Sequence, residues 1–132
     1  MGSHELEELR KRKKDQTVKL LEVADVTRQI AEAADRRDEL SVQLLLGERE
    51  RPMRELSEIE DGIRAYLPEL PQAQAIRLDA LLHGAAPETE AEAALAEQTA
   101  QYRRQLESVV ALDRQLSVRL GGSRSFYKKF RE

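Results

Sequence analysis

The chain has 132 residues, of which 36% are charged and 40% are hydrophobic, and its formal net charge is -3. It contains no cysteine, which excludes disulfides, thiolate catalysis and cysteine-based metal sites. The weakly negative charge provides no overall polycation for nucleic acid, and no apolar run reaches the roughly 20 residues that span a bilayer.

The N-terminal region is charged and has little to bury. Residues 1–4 resemble the remnant of a cloning tag and are set aside. A basic run follows, and it is a candidate contact for nucleic acid, an anionic membrane or an acidic partner. The alternative is the solvated start of a helix, and the run lacks the aromatic residues that single-stranded nucleic acid requires. Nucleic acid is therefore disfavoured as a partner. The run consists of Arg10, Lys11, Arg12, Lys13 and Lys14.

A long apolar stripe then predicts the first helical leg. Hydrophobic residues, Leu40 and Leu44 among them, recur at spacings of three and four, which is typical of one helix face. We predict a helix over about 5–67 with a kink near 47–52. The reason for the kink is Pro52, which lacks an amide hydrogen and opposes the preceding turn.

The chain next turns and begins a return leg. Pro68 and Pro71 are too close together for one straight helix, so the main turn is predicted there. A short helix is predicted at about 72–83, and Gly84 stands where a C-terminal cap is expected. The return leg is interrupted after this helix.

The last helix, predicted at about 89–120, has the most continuous apolar face. Thr89 and Glu92 fit a capping box at its start, and Asp113 interrupts its stripe. The stripe is the candidate surface for a partner helix, with core packing or a dimer interface as the favoured alternative. It consists of Tyr102, Leu106, Val109, Val110, Leu112, Leu116 and Leu120.

The C-terminal segment, residues 123–132, is basic and aromatic. Two interpretations are open: its aromatic residues pack back onto the helices, or the segment is an exposed docking peptide. Its candidate contact residues are Phe126, Tyr127, Lys128, Lys129 and Phe130.

Together these elements predict an all-α fold with one domain over residues 5–122. We expect an elongated antiparallel helical hairpin or coiled coil with an interrupted return leg and with both termini at one end. A separate tip is expected at about 53–83, and the sequence leaves open whether it hinges. Such a hairpin has little interior, because each helix buries only one stripe. Dimerisation into a four-helix bundle, or capture of another protein's helix, is therefore expected.

Nothing in the sequence matches a catalytic or metal-binding pattern. The carboxylates lie among arginine and lysine residues on polar helix faces, where solvation is the simplest explanation. His83 has no companion ligands and is expected to contact a helix end. There is no P-loop, GxGxxG or nucleophile elbow. We predict a cytoplasmic, non-enzymatic protein with no cofactor, no metal and no small-molecule substrate.

Three segments are similar to one protein family. Residues 33–49 combine an acidic residue, a leucine run and then Glu-Arg, and residues 112–116 and 125–128 read like family C-termini. The whole pattern resembles FlgN-type flagellar export chaperones, and less closely the FliT type. This resemblance implies a cytoplasmic chaperone that holds the C-terminal helix of a hook-associated protein for type III export. It also implies that the substrate binds the stripe of the last helix. Pro52 and the basic tail depart from the family pattern.

Two alternatives from other classes remain open. One is a structural coiled coil that self-associates as a tether or assembly subunit. The other is a nucleic-acid or membrane-surface binder that uses the basic ends of the chain.

Overall fold

The computed structural model describes residues 3–120, which form four α-helices and one short 3-10 turn. The elements are α1 (Ser3–Asp35), α2 (Glu39–Tyr66), the 3-10 turn (Leu67–Glu69), α3 (Gln72–Leu82) and α4 (Glu90–Arg119). No strand occurs among the described residues, and the predicted all-α class is confirmed. The C-terminal segment at 123–132 lies outside them.

The chain first reverses at residues 36–38, directly after α1. The helix ends in a Schellman motif, in which the amide of Asp38 donates to the carbonyl of Ala33 at 2.9 Å. The amide of Arg37 donates to the carbonyl of Ala34 at 3.0 Å. Arg37 has a φ of 58°, the left-handed conformation that this motif requires. Backbone geometry usually supplied by glycine is here adopted by an arginine.

Asp38 then caps the start of α2. Its carboxylate accepts hydrogen bonds from the amide of Ser41 at 3.1 Å and from the Ser41 hydroxyl at 2.6 Å. Both hydrogen bonds lower the pKa of Asp38, and the bond from the Ser41 hydroxyl has the larger effect. The prediction of one helix over 5–67 is therefore wrong, because polar capping ends α1 without any glycine or proline.

Helix α2 continues through Gly47 and Pro52. The kink predicted near 47–52 does not end the helix, and no separate tip begins at residue 53. Pro52 is buried, and Leu46 and Leu56 on either side of it are buried in the core. Tertiary packing here outweighs the lost amide donor.

Helices α1 and α2 are antiparallel, and side-chain contacts show their register. Lys19 of α1 lies 3.2 Å from the Glu55 carboxylate, and further along α1 the Thr27 hydroxyl lies 3.2 Å from Arg49. As the residue numbers rise in α1 they fall in α2. The predicted antiparallel hairpin is therefore present, but it lies within the segment predicted as a single leg.

Helix α4 runs parallel to α1 and packs against it. Arg10 donates to Gln98 at 3.3 Å, and Asp35 pairs with Arg119 at 2.7 Å. Helix α1 packs closely against both α2 and α4, whereas the backbones of α2 and α4 approach each other less closely. The start of α1 and the end of α4 therefore lie at opposite ends of the bundle, so the prediction that they share one end is wrong.

The core consists of three hydrophobic clusters along the bundle. The cap cluster contains Leu6, Leu9, Ile63, Leu78, Leu81 and Leu95. The middle cluster contains Leu20, Val23, Ala24, Leu56, Tyr102 and Val109. The turn cluster contains Ile30, Ala33, Val42, Leu46 and Leu116. Through the cap cluster, α3 covers the end of the bundle at which α2 stops and α4 starts.

Candidate protein-interaction site

The predicted partner-binding stripe of α4 lies largely inside the bundle. Its buried members are Tyr102, Val109 and Leu116. Its half-buried members are Leu106, Val110, Leu112 and Leu120. Because α1 and α2 already cover most of this stripe, it forms the intramolecular core, as in the core-packing alternative, and is not an open surface for a partner helix. The remaining candidates, Phe126, Tyr127, Phe130, Lys128 and Lys129, lie outside the described residues.

The basic run does not form a continuous patch. Arg10, Arg12 and Lys13 contact other helices of the same chain. Only Lys11 and Lys14 of the run are exposed. Two exposed lysines provide few contacts for phosphate groups, so the run supports only weak binding to nucleic acid or an anionic membrane.

One buried polar layer separates the cap and middle clusters. The Lys13 ammonium lies 4.2 Å from the centre of the Tyr102 ring and donates to Gln16 at 2.9 Å. The Gln16 amide donates in turn to the Glu60 carboxylate. Burial lowers the pKa of Lys13 to about 8 despite the opposing effect of Glu60, and burial also raises the pKa of Tyr102.

A second buried polar layer separates the middle and turn clusters. Arg49 of α2 pairs with Asp113 of α4 at 2.7 Å, and both side chains are almost fully buried. The same guanidinium donates to the Thr27 hydroxyl of α1 at 3.2 Å. The break that Asp113 makes in the apolar stripe of α4 was the only sequence signal for this layer. Sliding one of the three helices along the others would separate Arg49 from Asp113 and leave a buried charge unpaired. The contact therefore favours the observed alignment of α1, α2 and α4.

A groove of about 370 Å³ lies between the α3–α4 connector and α4, and we name it the connector groove. Residues 84–87 and the side chains of Ala96 and Ala100 line it with small apolar groups. Arg103 and Arg104 contribute two guanidinium groups. Arg103 donates to a backbone carbonyl at 3.3 Å, and Arg104 makes no ion pair within the described residues.

The connector that forms this groove is held by Arg77 of α3. Arg77 binds both carboxylate oxygens of Glu92, at 2.6 and 3.2 Å, and donates to the carbonyl of Ala86 at 2.9 Å. Arg77 is the main cause of the lowered pKa of Glu92. The predicted capping box is formed in part: Thr89 accepts from the amide of Glu92, but the Glu92 carboxylate accepts from the amide of Glu88.

A larger groove of about 480 Å³ lies between α1 and α2 and is lined mainly by charged side chains. Arg12 pairs there with Glu8 at 2.9 Å, and Lys19 pairs with Glu55 at 3.2 Å. Because these groups already satisfy one another, a ligand would have to displace them. The connector groove is the better candidate despite its smaller volume.

A second unoccupied surface is the outward face of α2, which we name the α2 outer strip. It consists of Leu40, Leu44, Gly47, Arg51, Arg54 and Glu58, all exposed. Leu40 and Leu44 are 72% and 60% exposed, although they were predicted to belong to the buried stripe. The break at residues 36–38 starts a new helix, and the buried face of α2 follows Val42 and Leu46 instead.

Within residues 3–120 no helix is long and apolar enough to cross a membrane. The same residues contain no cluster of three or more histidine, aspartate or glutamate side chains that could hold a metal ion. Comparison of the chain with protein-family models, curated proteins and solved structures returns no match.

Proposed function

We propose that this chain is a non-enzymatic adaptor that holds a helical segment of another protein in the connector groove. The supporting observation is the combination of small lining residues with two arginines. Small side chains such as Ala96 and Ala100 allow another helix to approach closely, and Arg103 and Arg104 can pair with a carboxylate on it.

The charge at the groove also indicates which ligand fits. Glu107 lines the groove together with the two arginines. It would repel a polyanion, whereas an amphipathic helix with a single acidic residue can place its carboxylate at Arg104. A helical peptide therefore fits this site better than nucleic acid.

The specific form that we propose is a cytoplasmic export chaperone for a flagellar hook-associated protein. This form rests on the resemblance of residues 33–49 and 112–116 to FlgN-type chaperones. Its substrate is the C-terminal helical segment of the hook-associated protein. The partner surface on α4 is then the connector groove and not the buried stripe.

Fluorescence anisotropy with a labelled C-terminal peptide of a hook-associated protein tests both levels of the proposal. We expect saturable binding that Arg104→Glu and Ala100→Trp each weaken by roughly tenfold or more, with helicity retained in circular dichroism. Arg28→Glu, a charge reversal on the exposed face of α1, is the matched control and should bind normally.

Two outcomes would contradict the proposal at different levels. Failure of every hook-associated segment to bind would remove the flagellar form. Binding that neither groove variant changes would remove the connector groove as the site.

A further inference from the structure

The α2 outer strip exposes apolar side chains that no other part of the described chain packs against. Leu40 and Leu44 are four residues apart and so lie on one helix face. Gly47 follows on the same face, and a Cβ built there would meet no atom within 4 Å. Glycine in an exposed helix interior lowers helix stability relative to alanine. No contact within residues 3–120 requires a glycine at this position. Close approach of a second helix would require one, because a larger side chain would keep the two backbones apart.

The turn before the strip and the far end of the strip carry charges of opposite sign. Arg37 lies at the turn before α2, and Glu58 lies towards the other end of the helix. Both side chains are exposed, and neither makes an ion pair within the described part of the chain. Arg51 and Arg54 lie between Gly47 and Glu58, where their aliphatic stems can cover apolar surface.

We propose that the α2 outer strip binds the same strip of a second copy of this chain, antiparallel, about a two-fold axis at Gly47. In this arrangement, residues face each other when their distances from Gly47 along the two helices agree to within one residue. Leu40 then faces Arg54 of the second copy, and Leu44 faces its Arg51. Arg37 faces Glu58 of the second copy, so opposite charges meet at both ends of the interface.

A second copy is the occupant that these charges favour. A parallel pair would bring Arg37 against Arg37 and Glu58 against Glu58, which is repulsive. An unrelated helix could cover the leucines, but it would need its own matching charges, whereas this chain already carries both charges, on Arg37 and Glu58. The proposed interface is one helix wide and roughly 32 Å long over the 22 residues from Arg37 to Glu58. A standard interface buries about 800 Å² on each partner, and a strip this narrow buries less. We therefore expect a weak dimer with a dissociation constant in the micromolar range.

Sedimentation equilibrium of the full chain over a range of concentrations tests this dimer. We expect a monomer–dimer equilibrium that Leu44→Asp shifts to monomer at all concentrations reached. Val118→Asp is the matched control, because Val118 is a 78% exposed apolar residue on α4 and is not part of the strip. The same introduced charge should leave the dimer intact there. A parent chain that stays monomeric up to millimolar concentration, or a dimer unaffected by Leu44→Asp, would overturn the proposal.

Charge reversal tests the antiparallel register. Arg37→Glu and Glu58→Arg alone should each weaken the dimer by roughly tenfold or more, because each brings like charges together. The double variant restores the pair with reversed polarity and should return to within about threefold of the parent constant. A double variant as weak as the two single variants would exclude this register.

Gly47→Gln gives an independent readout. Glutamine is a better helix former than glycine, so the variant should melt at a higher temperature. Its side chain would nevertheless separate the two helices at the axis, so the dimer should weaken. A variant that is stabilised and dimerises normally would exclude close approach at Gly47. Arg104→Glu, in the connector groove, should leave dimerisation unchanged, so failure of the adaptor proposal and failure of this one are distinguishable.

Discussion

At the residue scale, the most unusual group is Lys13, a lysine buried beside an aromatic ring. Its ammonium contacts the Tyr102 ring and the Gln16 amide, and Glu60 lies on the far side of that amide. Arg103 faces it as a second positive charge. Burial outweighs the attraction of the carboxylate, and the pKa of Lys13 falls from 10.5 to about 8.

This shift makes stability depend on pH. Between the folded pKa of about 8 and the unfolded value of 10.5, the unfolded state binds more protons, so stability rises with pH. The raised pKa of Tyr102 acts in the opposite direction once free tyrosine ionises, near pH 10. We expect the free energy of unfolding in urea to rise by about 1–2 kcal/mol from about pH 7 to about pH 9.5 and to fall at higher pH.

Lys13→Met is the control for this prediction. Methionine retains an unbranched apolar side chain of similar length but has no titrating group. The rise in unfolding free energy over the same pH range should therefore disappear in this variant. An equal rise in both proteins would assign the effect to another residue.

At the element scale, two helices end in the same hydrogen-bonded motif with different residues at the left-handed position. Helix α1 uses Arg37, with a φ of 58°, and α3 uses Gly84, with a φ of 101°. After α3 the amide of Ala85 donates to the carbonyl of Ala80 at 2.9 Å, as in a Schellman motif. The sequence predicted the glycine cap, whereas the arginine cap gave no comparable signal.

Substitutions at these two positions should have opposite effects. Arg37→Gly removes the cost of a side chain at positive φ and should raise the free energy of unfolding by about 1 kcal/mol. Gly84→Ala should lower it by about 1 kcal/mol through the backbone, since the new Cβ would lie at an ordinary 3.5 Å from Arg103. Urea denaturation measures both changes.

Arg36→Gly is the control for the element-scale prediction, because it places a glycine in the same turn at an ordinary φ. It should lower stability or leave it unchanged. A gain equal to that of Arg37→Gly would show that the effect does not come from the left-handed conformation.

At the scale of the whole molecule, the position of the first reversal decides which residues are neighbours. Lys19 and Glu55 are in contact in the bundle. In one straight helix over 5–67 they would lie roughly 54 Å apart. The distance between Lys19 and Glu55 therefore distinguishes the observed bundle from a single straight helix.

Because the chain has no cysteine, a unique pair can be introduced. We expect the double variant Lys19→Cys/Glu55→Cys to form an intramolecular product with a short bismaleimide, identified by mass spectrometry at high dilution. The pair Lys14→Cys/Leu40→Cys, roughly 33 Å apart along the bundle, should not react in this way. Absence of the first product, with both cysteines reactive, would contradict the three-helix packing.

The sequence by itself determined the helical class, the turn after residue 67, the Gly84 cap and the Thr89 cap. Each of these follows from local chemistry: apolar spacing, proline geometry, glycine at positive φ and a hydroxyl at a helix start. The apolar residues of α4 were also identified correctly as a packing face, because spacing reports which side of a helix is apolar.

Only the tertiary structure decided which surface covers each face. Spacing cannot tell whether an apolar stripe meets another part of the same chain or a different molecule, so the stripe at Tyr102 was open to both interpretations until α1 and α2 were seen to cover it. The same limit applies to Leu40 and Leu44, which share the apolar character of the core but lie outside it because α2 begins anew at Asp38. Buried polar groups such as Arg49 and Gln16 were invisible for a related reason, since a polar side chain signals burial only through the partners that satisfy it.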